Sequence, residues 1–253
     1  MATVNIDGTA IYYVTRGDLS STPLVLVHGA GGTHRHWLNQ VQEHSLPEGV
    51  LALDLPGHGN SGGVALNSVA EYARVVLKVL DALQISRAIL GGHSMGGAIA
   101  LTAALDAPAK AAGLVLVATG ARLRVAPQFL KTFAAGERVP NFTSYLYGPA
   151  ADPELVAQAE AELEAVSPAA SLADFSACDT FDVRERLAEI SIPALILVGT
   201  EDVMTPPKYA HFMAATMPVA SLSIIEEAGH MLMLEQPAAV NQAIISFIQN
   251  LKL

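Results

Sequence analysis

Short runs rich in valine, leucine and isoleucine recur along this chain with helix-patterned stretches between them, and that alternation limits the fold more than any other feature. Apolar runs without polar alternation belong to strands buried on both faces, and parallel strands need a crossover, usually helical, between them. The runs fall at 10–15, 24–28, 50–54, 88–91, 114–118, 194–199 and 221–225, and the segment Thr3 to Ile6 is expected to pair antiparallel with the first of them. Helices are expected over 36–44, 68–83, 95–107, 206–217 and 237–251. Together these predict an α/β domain built on a mostly parallel eight-stranded sheet with helices on both faces.

Residues 122–189 break the rhythm. Far more chain lies between the sixth strand, ending at Ala118, and the seventh, starting at Ala194, than one crossover needs. The segment is helical in composition, and Asp152-Pro153-Glu154 and Ser167-Pro168 have the form of helix starts. It is expected to be a helical cap inserted after the sixth strand, with 1–121 and 190–253 forming the core domain. Phe129, Phe133, Phe142, Tyr145, Leu146, Tyr147 and Phe175 supply apolar surface that either lines a pocket or makes the cap's own small core.

Composition removes several function classes. The formal charge of -10 disfavours nucleic acid and anionic membrane surfaces as partners. Stretches without charge, such as Ala111 to Ala121, fall short of the roughly 18 residues of a membrane span, and the beginning has neither a basic start nor an apolar signal core. A cytoplasmic protein is expected. Cys178 is the only cysteine, which excludes an internal disulfide and a cysteine-rich metal site. Its surroundings carry no sign of a nucleophile, so it is read as a buried structural thiol.

Chemistry enters at Gly92-His93-Ser94-Met95-Gly96, which lies between the apolar run at 88–91 and an alanine-rich helix. A serine at a sharp strand-to-helix bend projects its hydroxyl over the carboxyl edge of the sheet, and the bend leaves no room for side chains two residues to either side. Glycine fills both places, which makes Ser94 the candidate nucleophile. A serine hydroxyl needs a base, and the base needs a third group to orient it. Asp202 follows the strand at 194–199 and His230 follows the strand at 221–225, so both are expected on loops at the same sheet edge as Ser94. Glu201 is the alternative acid.

The order serine, acid, histidine, together with His28-Gly29-Ala30-Gly31-Gly32, Asp54-Leu55-Pro56-Gly57-His58-Gly59-Asn60-Ser61, Gly199-Thr200-Glu201-Asp202 and Gly229-His230, resembles the α/β-hydrolase superfamily over nearly the whole chain. The resemblance implies a Ser94, Asp202, His230 triad and an oxyanion hole formed by the backbone amides of Ala30 and Met95. It also implies acyl transfer through Ser94 to water, with a small ester as substrate and no cofactor. Serine in place of aspartate argues against haloalkane dehalogenase or epoxide hydrolase chemistry. Carboxylesterases, enol-lactonases, carbon-carbon bond hydrolases and perhydrolases share the triad, and fold alone does not separate them.

Two details weight these members. Phe129, Phe133, Phe142, Tyr145, Val203 and Met231 are the expected pocket residues, and their apolar character favours a carboxylesterase acting on small, largely apolar esters. Arg122 and Arg124 keep a carboxylate-bearing lactone open, as does the enol-lactonase-like Glu235-Gln236-Pro237 ending. A hydrolase-derived ligand receptor with little turnover is the reading from another class. The glycine-rich segment after the strand at 24–28 lacks the Gly-Lys-Ser/Thr ending of a nucleotide loop. His34-Arg35-His36 has no further ligand at metal spacing and is expected to be a polar loop near the pocket mouth, with no metal bound. His93 is assigned packing, and His58 no chemistry.

Overall fold

A computed structural model describes residues 2–46 and 49–251. Its strands are β1 (Ala2–Ile6), β2 (Thr9–Arg16), β3 (Leu24–Val27), β4 (Val50–Leu53), β5 (Ala88–His93), β6 (Ala111–Val117), β7 (Ala194–Gly199) and β8 (Ala220–Ile225). They form one eight-stranded sheet in the order β1-β2-β4-β3-β5-β6-β7-β8. The β1–β2 and β2–β4 pairs are antiparallel. All five other pairs are parallel, as expected of strands joined by helical crossovers.

The helices are α1 (Leu38–Val41), α2 (Val69–Ala82), α3 (Met95–Asp106), α4 (Pro127–Ala134), α5 (Thr143–Leu146), α6 (Pro153–Ala165), α7 (Pro168–Thr180), α8 (Pro207–Thr216), α9 (Leu232–Glu235) and α10 (Pro237–Gln249). Side chains of a strand alternate between faces, and β3 shows the result. Val25 and Val27 pack with residues of α2, α3 and α8. Leu24 and Leu26 pack on the opposite face with Trp37, Leu232, Val240 and Ile244. The sheet therefore has two cores, and α3 is buried along Met95 to Ala104.

Two boundaries differ from expectation for identifiable reasons. β5 continues through Gly91 and Gly92 to His93, because both glycines stay in register with Leu26 and Val27 on one side and Val115 and Leu116 on the other. A side chain on Gly91 would meet Leu26 at 2.7 Å, so glycine here is a close-packed strand residue instead of a stop. The helix expected over 36–44 is a 3-10 turn, His34–Trp37, followed by the single turn of α1. Arg16 donates to the carbonyls of Val41 and Leu46, at 2.8 and 3.3 Å, satisfying groups that a longer helix would otherwise use.

The insertion after β6 contains α4 to α7. Phe129 and Phe133 of α4 and Phe175 of α7 form an aromatic cluster with Phe142. α6 contributes no buried residue, whereas Ala177 and Cys178 of α7 join the core on the α3 face. α7 is thus the element that seats the insertion. Where the insertion leaves the core, Arg122 bridges to Asp182 and the Val183 amide donates to the Ala121 carbonyl at 2.8 Å. Among the described residues, no helix is long and apolar enough to cross a membrane.

Candidate active site

β5 ends at His93 and α3 begins at Met95, so Ser94 is the single residue that turns strand into helix, with φ 52° and ψ -115°. A non-glycine residue held in such a sparsely populated region costs about 1–3 kcal/mol, which its surroundings must over-determine. They do so through the backbone. The Ser94 amide donates to the Val117 carbonyl at 2.9 Å, and its carbonyl accepts from Thr119 Oγ1 at 2.7 Å and from the Gly97 amide at 3.0 Å. A Cβ on Gly92 would lie 2.1 Å from the Gly96 backbone, and one on Gly96 would lie 2.1 Å from the Val27 carbonyl oxygen.

Asp202 and His230 reach this edge from the ends of β7 and β8, beyond β6. β7 ends at Gly199, and the following loop buries Asp202. Asp202 Oδ1 accepts from the amides of Met204 and Thr205 at 2.9 and 2.8 Å, and Oδ2 accepts from Thr205 Oγ1 at 2.8 Å. The same Oδ2 stands 2.9 Å from His230 Nδ1. Burial by itself would raise the Asp202 carboxyl, but His230 and the Thr205 donors outweigh it and hold the carboxyl below its usual range. With the carboxylate ionised, Nδ1 of His230 carries the proton and Nε2 is left as the basic nitrogen. Glu201 is exposed and does not meet His230.

Ser94, His230 and Ala30 line one cavity of about 60 Å³. Met95, as the first residue of α3, has an amide without an intrahelical partner. The rest of the wall is mainly apolar, with Phe142, Leu146, Leu163, Phe175, Met204 and Met231. A second chamber of about 310 Å³ shares Ala30, Gly31, Phe142, Leu163 and Phe175 with it and extends beneath α4 and α6 toward Arg138 and Glu160.

Of the six expected pocket residues, the structure brings Phe142 and Met231 to Ser94. Phe129 and Phe133 pack into the aromatic cluster of the insertion, and Phe133 borders only the second chamber. Tyr145 and Val203 are exposed, at 39% and 61%. The neighbour Met204 takes the place expected of Val203 because its amide is drawn inward by Asp202. Cys178 is buried, as expected, and also borders the cavity; burial pushes its thiol well up. Arg122 and Arg124 lie elsewhere, lining a separate pocket with Arg184 and Lys208 while facing Asp182 and Asp179 at 3.7 and 3.5 Å.

Several polar residues hold the site together through contacts that the sequence patterns did not show. His93, the residue before Ser94, donates from Nε2 to the His230 carbonyl at 3.0 Å. Glu235 accepts from the amides of Gly229 and Gly148, tying the histidine loop to the insertion. His34, expected in a polar loop at the mouth, is instead buried, with its ring and its amide both on Asp54 Oδ1 at 2.9 and 2.6 Å. His36 borders the cavity, and burial pushes its imidazole down to about 4. Among the described residues, no three His, Cys, Asp or Glu side chains converge as metal ligands would.

The model of the family described as "Alpha/beta hydrolase family" matches residues 24–243, which span β3 through most of α10. The chain belongs to the α/β-hydrolase family. A relative in Pseudomonas putida, the dihydrolipoyllysine-residue acetyltransferase component of an acetoin cleaving system, is 33% identical over 96% of this chain and 68% of its own length. The solved structure of a thermophilic esterase superposes on this hydrolase with a TM-score of 0.88, at 32% identity, over 99% of this chain and 98% of that one. The enol-lactonase of Burkholderia xenovorans LB400 gives the same TM-score at 22% identity, over 98% of this chain and all of the other, a likeness of fold alone. As a hydrolase of this fold, the chain has esterase-like neighbours and the small-molecule substrates that the family implies.

Proposed function

We propose that the protein is a serine carboxylesterase, cleaving small, largely apolar esters through an acyl-enzyme on Ser94. The observation that carries this reading is the His230–Asp202 pair, 2.9 Å apart, whose histidine borders the same cavity as the strained Ser94. His230 Nε2 takes the Ser94 proton as Oγ attacks the ester carbonyl, and Asp202 stabilises the imidazolium that forms. The amides of Ala30 and Met95 hold the tetrahedral oxyanion. Collapse expels the alcohol, which receives the proton from His230. A water then gives its proton to His230, attacks the acyl carbon and releases the acid with Ser94 restored.

The wall composition supports a neutral acyl group, since Phe142, Phe175, Met204 and Met231 offer no charge to a carboxylate. The cavity beside Ser94, about 60 Å³, is much smaller than the second chamber of about 310 Å³, which favours a short acyl chain at the serine. In this reading residues 122–189 act as a cap over a core formed by 1–121 and 190–253, and the second chamber receives the larger part of the substrate. Arg122 and Arg124 line a separate pocket, so of the two features that kept a carboxylate-bearing lactone open only the Glu235-Gln236-Pro237 ending remains.

The test is hydrolysis of p-nitrophenyl esters from acetate to decanoate by the wild type and Ser94→Ala. The expected result is turnover that declines as the acyl chain lengthens and that disappears in the variant. Equal turnover by the variant contradicts the mechanism. Negligible wild-type turnover on every ester favours a ligand receptor.

A further inference from the structure

Asp174 takes no part in the steps above, yet it is one of the most confined carboxylates in the molecule. It sits on α7, in the insertion, with no exposed surface. Its Oδ1 accepts from Tyr72 OH at 2.6 Å. Its Oδ2 accepts from the Gly31 amide and from His58 Nε2, both at 2.8 Å. All three partners belong to the core: the loop after β3, the loop after β4 and α2.

The protonation of this cluster follows from its geometry. His58 Nδ1 lies 3.0 Å from the Pro56 carbonyl and Nε2 lies 2.8 Å from Asp174; a carbonyl only accepts, and so does Asp174 as a carboxylate. Both ring nitrogens therefore donate, and His58 is an imidazolium paired with the buried carboxylate. Its neighbour His28, 5.1 Å away, is the opposite case. It donates from Nδ1 to the Gly29 carbonyl and accepts from the Leu55 amide at Nε2, so it is neutral. With His58, Tyr72 and Gly31 as donors, the Asp174 carboxylate is neutralised and held in one orientation.

What that orientation fixes is the backbone next to Ala30. Gly31 has φ +66°, and the turn is closed by the Gly32 amide on the Gly29 carbonyl at 3.1 Å. The Gly31 amide is thus taken by a side chain of the insertion, while the adjacent Ala30 borders the cavity with Ser94. We propose that Asp174 is a positioning residue for acyl transfer: by holding the Gly31 amide it sets the loop that aims the Ala30 amide at the oxyanion. The inference rests on the serine-hydrolase reading. Its consequence is that catalytic geometry depends on the seating of α7, because a misplacement of about 1 Å at such a site costs on the order of a hundredfold in rate.

Asp174→Leu keeps the branching at Cγ and removes the acceptors, while Asp174→Asn keeps an oxygen for the Gly31 amide. Both are compared with the wild type in kcat and KM on a p-nitrophenyl ester. Affinity is also measured for a trifluoromethyl ketone, which becomes a tetrahedral oxyanion on Ser94, and for an unreactive amide of the same length. For Asp174→Leu, kcat is expected to fall by about 30- to 100-fold with KM nearly unchanged, and the ketone to weaken by the same factor while the amide does not. Asp174→Asn is expected to retain most of kcat.

An Asp174→Leu protein with wild-type kcat, or one in which ketone and amide weaken together, overturns the proposal. His58→Gln and Tyr72→Phe keep the experiment decisive if Asp174→Leu does not fold. Each removes one donor that orients Asp174 and is expected to lower kcat, by less than Asp174→Leu does, with KM nearly unchanged, so wild-type kcat in both folded variants also overturns it. Ser94→Ala runs in parallel. If that variant still hydrolyses the ester, the hydrolase reading itself has failed; if it is inactive, a negative result bears on Asp174 alone.

Discussion

The Nε2–H of His93 reaches the backbone carbonyl of His230 at 3.0 Å, so the residue just before Ser94 holds the loop that carries His230. The two rings lie 4.6 Å apart, and His93 is packed so closely that a Cβ on Gly29 would meet its Nδ1 at 2.7 Å. Burial and the nearby His230 push its imidazole well down, so His93 is neutral and donates from one nitrogen only. His93→Phe keeps the ring and deletes that donor. Leaving a buried carbonyl unpaired costs about 1–3 kcal/mol, so Tm should fall, and kcat should fall with it as the His230 loop loosens. Unchanged Tm and kcat, measured by thermal denaturation and ester hydrolysis, would show the contact to be incidental.

Asp202 fixes the tautomer of His230, and the two donors on its Oδ1 fix Asp202 in turn. In the serine-protease precedent, replacing the acid by its amide lowers kcat about 10⁴-fold because the histidine takes the wrong tautomer. Asp202→Asn should therefore lose on the order of 10³- to 10⁴-fold in kcat with the fold intact. The exposed Glu201 is the internal control, and Glu201→Gln should stay close to wild type. A larger loss in Glu201→Gln than in Asp202→Asn would reassign the acid.

The bend at Ser94 depends on the absence of side chains around it. Gly96→Ala would place a methyl 2.1 Å from the Val27 carbonyl oxygen, contact that no rotamer relieves because the obstacle is backbone. Overpacking a rigid site typically costs about 1–3 kcal/mol, and a backbone collision of this kind belongs at or beyond the upper end. Urea denaturation should show the loss, together with collapse of activity. Gly136→Ala, where a Cβ meets nothing within 4 Å, carries only the cost of a positive φ and should leave activity alone.

Buried histidines give stability two opposing pH limbs. Burial holds His28 and His93 well below the usual 6.5 and His36 at about 4, so between pH 6.5 and 4 the unfolded chain binds protons that the folded one refuses. Stability from these groups is complete above 6.5 and declines as the pH falls toward 4. His58 works in the other direction: burial opposes its charge, but Asp174, the Pro56 carbonyl and Asp54 raise it above 6.5. Its contribution is complete below 6.5 and is lost as the pH rises through its folded-state value. Urea midpoints measured from pH 4 to 9 should fall on both sides of neutrality, and Asp174→Asn should flatten the alkaline limb alone. An alkaline limb identical in that variant would contradict the His58–Asp174 pairing.

Much of this architecture was legible in residue order because each strand is a short apolar run and each parallel crossover demands a helix. The eight strands, the inserted helices after β6 and the glycines around Ser94 all follow from such local rules. Pocket lining was less legible, since Phe129 and Phe142 look alike in sequence and differ only in which neighbour covers them. Val203 and Met204 show the same limit at one-residue scale: the turn that Asp202 caps decides which of them faces inward. The polar network was hidden for a related reason. His58, Tyr72 and Asp174 lie up to 116 residues apart, and no spacing rule connects an insertion helix to a loop after β4.

The most direct measurement of the central claim is covalent capture of the nucleophile. Diethyl p-nitrophenyl phosphate should transfer one diethylphosphoryl group to the protein with concomitant loss of ester hydrolysis, and peptide mass spectrometry should place it on Ser94. Ser94→Ala should remain unlabelled and inactive. Inactivation with the label on another residue, or a Ser94→Ala protein that hydrolyses esters at the wild-type rate, would contradict the account.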